Sequence, residues 1–99
     1  MATDSAVRSV TNTLSTTVAD SITLTQPWPA IDVTNHNTTN NLYVRQDGTT
    51  AVGAADGTTV ILPGQSKVLA PMLYSTGPTV PHFLSVVGSG NVYTIEGVN

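Results

Sequence analysis

The chain has no cysteine, so it builds neither disulfides nor thiolate-ligated zinc or iron–sulfur centres. It is also poor in charge. Lys and Arg together number 3, Asp and Glu 6, and charged residues are 9% of the whole, against about 25% in a typical domain. Arg8, Arg45 and Lys67 are the only permanent cations. Three scattered cations neutralise few phosphates, which argues against a nucleic-acid role and against an anionic membrane surface. No apolar run approaches the length of a membrane-spanning helix, and residues 1–25 lack the basic start and apolar stretch of a secretory signal. Aromatic residues are limited to Trp28, Tyr43, Tyr74, Phe83 and Tyr93.

Thr, Asn, Ser, Val, Gly and Pro fill the space left by charge. Thr and Val favour strands; Asn, Gly and Pro favour turns. Helix breakers recur too often for a long helix. At 99 residues the chain suits one domain that buries about 64% of its unfolded surface. The expected fold is all-β: a single-domain antiparallel β-sandwich or jelly roll of about eight short strands. Residues 1–20 read as a partly extended N-terminal arm, frayed over Met1–Ser5, and residues 21–99 as the sandwich domain.

The strand signals follow the chain. Ala6–Thr11 alternates weakly, and residues 12–20 read as a loop. Ser21–Thr25 alternates cleanly, with Ile22 and Leu24 on one face. Pro27-Trp28-Pro29 marks an edge or corner. Ala30–Asn35 and Asn41–Gln46 flank the polar tip His36–Asn40, a pattern that predicts a hairpin. Thr58–Leu62 ends at the turn Pro63-Gly64; Ser66–Leu73, Thr79–Val87 and Asn91–Glu96 complete the set. Tyr43 and Tyr93 are out of phase with Val44 and Val92, which places both rings on the face opposite the main core. An echo, Asp47-Gly48-Thr49-Thr50 and Asp56-Gly57-Thr58-Thr59, reads as two Asp-Gly turns rather than a calcium-binding repeat.

Chemistry-bearing groupings are sparse. No serine lies in a nucleophile elbow. His36 reads as a solvated tip residue and His82 as a strand histidine packed on a neighbour. The functional alternative for either is a metal ligand shared across a symmetry axis. Asp32, Asp47 and Asp56 suit turns better than a carboxylate or calcium site. Asn37-Thr38-Thr39 fits the glycan-acceptor pattern, a weak signal in an Asn- and Thr-rich chain. No metal, cofactor or catalytic residue is assigned. Trp28, stiffened by its prolines, either caps the end of the sandwich or anchors a protein partner. A surface of hydroxyl and amide groups can be covered by neighbours without desolvating ions, which points to a subunit of an assembly.

Four segments bear a family likeness: Asn40-Asn41-Leu42-Tyr43-Val44-Arg45, the stretch through Asp56-Gly57-Thr58, Ile61-Leu62-Pro63-Gly64-Gln65-Ser66, and Gly90-Asn91-Val92-Tyr93-Thr94-Ile95-Glu96-Gly97. Across roughly residues 30–97 the chain resembles small β-rich virion proteins of tailed bacteriophages, similar to capsid decoration (cement) proteins. The first 29 residues and the Pro-Trp-Pro segment depart from that pattern. The resemblance implies a non-enzymatic structural protein on the capsid exterior. Its partners would be the major capsid protein and itself, as a homotrimer. Val7, Val10, Trp28 and Tyr74 are the candidate partner contacts. Alternatives are a tail or fibre-base component, and a host-surface carbohydrate-binding module using Trp28, Tyr74 and the His36–Asn41 tip.

Overall fold

A computed structural model describes residues 3–14, 18–26, 28–46, 50–53, 58–69 and 82–98; of His82 it describes the backbone alone. Among these residues there are nine strands and no helix. They are β1 (Thr3–Ala6), β2 (Ser9–Thr13), β3 (Asp20–Leu24), β4 (Ala30–Asn35), β5 (Leu42–Arg45), β6 (Thr59–Ile61), β7 (Ser66–Leu69), β8 (His82–Val87) and β9 (Val92–Val98). One sheet has the order β1-β3-β8-β5-β6, the other β2-β9-β4-β7. The fold is the expected β-sandwich. Its pairings are antiparallel except β1 with β3, which run parallel from Thr3↔Ser21 to Ala6↔Leu24.

The alternation of side chains explains the packing. Ile22 and Leu24 of β3, Leu42 and Val44 of β5 and Leu84 and Val86 of β8 are buried from one sheet. Val10, Ile31, Val33, Leu69, Tyr93 and Ile95 meet them from the other. Each fully buried aliphatic side chain contributes about 1.5–3 kcal/mol. A second, smaller cluster lies outside the five-stranded sheet, where Ala19, Ala51 and Val87 pack with half-buried Tyr43. Ala51 is fastened there by its backbone N–H, which donates to Ser85 Oγ at 2.9 Å.

The structure corrects several local expectations. Where fraying was expected, Thr3–Ala6 is a paired strand. The single strand expected at Ala6–Thr11 is two, broken at Val7-Arg8 so that the halves join different sheets. Residues expected to form a loop supply the end of β2, buried Leu14 and buried Asp20. The predicted hairpin is absent. β4 and β5 belong to opposite sheets, so the His36–Asn41 connection arches across the sandwich. Ile31 and Val33 need a buried face, as do Leu42 and Val44, and facing each other across the core satisfies both patterns as well as a hairpin would. Tyr43 lies away from the main core as expected, but Tyr93 is fully buried within it.

The turn expected at Pro63-Gly64 is present. Gly64 has φ +73°, and the Gln65 N–H donates to the Leu62 carbonyl at 3.0 Å. Pro at the first central position and a left-handed Gly at the second are what a type II turn requires. The strand residues expected at 70–73 and 79–81 lie outside the described residues.

Candidate functional site

Trp28 packs against the main core beside the break between β1 and β2. The Trp28 Nε1–H donates to the Val7 carbonyl at 2.8 Å. The Arg8 guanidinium lies 5.3 Å from the Trp28 ring centroid. Arg8 Nε–H in turn donates to the Gly97 carbonyl at 3.1 Å, while Gly97 N–H donates to the Arg8 carbonyl at 2.8 Å. The indole sits directly on Gly97, where any Cβ would overlap it. The break between β1 and β2 thus wraps the indole, and the ring packs partly buried against the main core. Among the candidate contacts, Val7 is exposed. Val10 is not at a surface: at 5% exposure it is a core residue, because it shares the inward phase of β2 with Leu14. Tyr74, Asp47 and Asp56 lie outside the described residues.

The outward face of the four-stranded sheet is a hydroxyl lattice. Thr11 Oγ1 and Thr94 Oγ1 hydrogen-bond at 2.8 Å, as do Thr34 Oγ1 and Ser66 Oγ at 2.7 Å. His36 Nε2 and Thr94 Oγ1 lie 2.9 Å apart, which ties the tip histidine into this lattice. Asp32 and Glu96 are direct cross-strand neighbours there, and Asp32 Oδ1 is buried without a hydrogen-bond partner. Among the described residues, no three His, Asp or Glu side chains converge as metal ligands.

Two groups that the sequence reading missed organise the interior. Tyr93 Oη–H donates to buried Asp20 Oδ2 at 2.8 Å, bridging the sheets. Burial above all, and then the bond to and charge of Asp20, push the Tyr93 phenol well above its ordinary pKa. At the arch, Asn35 and Asn91 are both fully buried. Asn91 Nδ2 donates to Asn35 Oδ1 at 2.9 Å and to the Asn40 carbonyl at 3.0 Å. Asn35 Nδ2 donates to the carbonyls of Asn40 at 2.9 Å and Ile61 at 3.0 Å. Asn91 Oδ1 accepts the Ser89 N–H at 2.8 Å. Strand phase could have revealed both asparagines: Asn35 is in register with Ile31 and Val33, and Asn91 with Tyr93 and Ile95. Asn37, the glycan-acceptor candidate, serves the turn. Its Oδ1 accepts from Thr39 N–H, Thr39 Oγ1–H and Asn40 N–H.

Beside this network lies a cavity of about 310 Å³ lined by Asn40, Asn41, Tyr43, Val52, Gly53, Val87, Gly88 and Ser89. Strand β5, the arch, the turn after β8 and the separate segment 50–53 converge on it.

The fold and these sites define a β-sandwich with a hydroxyl-rich outer face. The chain matches no known protein family, no curated protein and no solved structure.

Proposed function

We propose that this chain is a non-enzymatic capsid decoration protein of a bacteriophage virion, sitting on the capsid exterior as a homotrimer and bridging neighbouring major capsid proteins. The observation that carries this reading is the outward face of the four-stranded sheet. Ser9, Thr11, Thr13, Thr34, Ser66 and Thr94 lie on it, two pairs of them linked through hydroxyl hydrogen bonds, with exposed Val68 and Val92 and the acidic pair Asp32 and Glu96 among them. Asp32 and Glu96 are the carboxylates on this face; the rest of it is covered without desolvating an ion, which limits the desolvation cost of association. Each neutral hydrogen bond contributes about 1 kcal/mol net, and repetition over a symmetric lattice multiplies weak contacts. The sequence resemblance over residues 30–97 points the same way. Trp28 enters this reading as a brace for the sandwich end, with exposed Val7 beside it as the contact.

The test compares capsids assembled with and without the protein under heat and osmotic shock. Capsids that lack it are expected to rupture at lower temperature and milder shock, and equal survival refutes the role. Native mass spectrometry of the purified chain checks the trimer, and micrographs of labelled virions distinguish head from tail.

A further inference from the structure

We infer that the cavity beside the arch is a binding site for an uncharged saccharide, which it takes as a single pyranose ring. The site is separate from the hydroxyl face and stands whether or not the chain decorates capsids.

The volume, about 310 Å³, lies at the lower end of the range of small-ligand pockets. Among the described residues no charged side chain lines it. Its walls combine two kinds of surface. Tyr43 and Val87 give an apolar, partly aromatic surface, against which the C–H face of a sugar ring packs. Asn40, Asn41 and Ser89 give planar amides and a hydroxyl, which donate and accept at once and so match vicinal hydroxyls.

Apart from the Asn40 Nδ2, the polar groups needed for this are uncommitted. Among the described residues, the side chains of Asn41 and Ser89 and the Tyr43 hydroxyl make no hydrogen bond. The backbone beneath them is fixed. The Asn40 and Asn41 carbonyls both accept from buried Asn91 Nδ2. Asn40 Nδ2 donates to the Ser89 carbonyl at 2.8 Å, tying one wall to the other. Gly88 is held so close to Asn91 that a Cβ there would overlap its Oδ1. The walls are therefore preorganised, and binding loses little conformational entropy.

The test is titration of the isotopically labelled full chain, followed by amide shifts. The probes are glucose, galactose, mannose and N-acetylglucosamine, with adenosine as an uncharged heteroaromatic control. At least one sugar is expected to shift the Asn41, Val52, Gly53 and Ser89 amides saturably, with a Kd of about millimolar. Asn41→Ala keeps the carbonyl that Asn91 uses, so the fold is preserved. It is expected to weaken that sugar about tenfold, and Val52→Trp to block it. Absence of shifts at these amides with every sugar overturns the inference. So does adenosine binding as tightly as the sugar, or wild-type affinity in Asn41→Ala.

Discussion

Tyr93 concentrates more consequence in one side chain than any other residue. Its phenol bonds across the core to Asp20, and Tyr93→Phe leaves that buried carboxylate short of a donor. The expected loss is about 1–3 kcal/mol, seen as a lower urea midpoint. The pH dependence has a definite sign. The folded pKa of Tyr93 is raised, so its contribution is complete below about pH 10, the ordinary value. It is lost as pH rises from there toward the folded value, because the unfolded chain ionises first. Urea melts of wild type and Tyr93→Phe should converge as pH climbs above about 10; a constant gap would contradict the assignment. The burial of Tyr93 was legible in principle. In β9 the set Tyr93, Ile95, Gly97 is more apolar than Val92, Thr94, Glu96, and taking Val92 as the inward residue inverted the phase. Asn35 and Asn91 were harder to read, since Asn in a strand commonly signals a turn. Their hydrogen bonds to each other and to the backbone of Asn40, Ile61 and Ser89 make burial tolerable.

At the scale of elements, β9 couples two features that can be perturbed separately. Gly97→Ala would drive a methyl group into the Trp28 ring. The expected cost is about 1–3 kcal/mol, with a red-shifted indole emission as the ring is displaced from its packing. One residue away, Glu96 opposes Asp32 across the strand pair. Like charges directly opposite each other destabilise a sheet, so Glu96→Gln should raise stability by about 0.2–1 kcal/mol, measurable as a higher melting temperature. Most strands were legible because their inward residues keep a period of two. The partner of each strand was not, as the arch shows. Alternation records that a strand has a buried face and leaves open whether its sequence neighbour lies beside it or opposite it. The cavity was only half visible: Asn40, Asn41 and Tyr43 adjoin in sequence, whereas Val52 and Gly53 are brought in by tertiary packing.

Over the whole molecule, β5 and β6 are, among the described residues, the only consecutive strands that pair with each other. Every other pairing joins segments separated by at least one intervening strand. Such topologies fold slowly, in milliseconds to seconds, because loop closure precedes the stabilising contacts. Stopped-flow refolding of the chain should give rates in that range; microsecond folding would contradict the topology. The same crossing layout brings β1 and β2 into both sheets, so the segment expected as an arm instead helps to fasten the layers together.

The placement of β9 between β2 and β4 constrains how the protein is made. Translation delivers this central strand after its two neighbours, so a ribosome still short of residue 92 carries a nascent chain whose four-stranded sheet has a vacant middle. Val10 and Val33, which that strand helps to cover, then wait in water or on a chaperone. Acquisition of the native state is thereby deferred until β9 clears the exit tunnel.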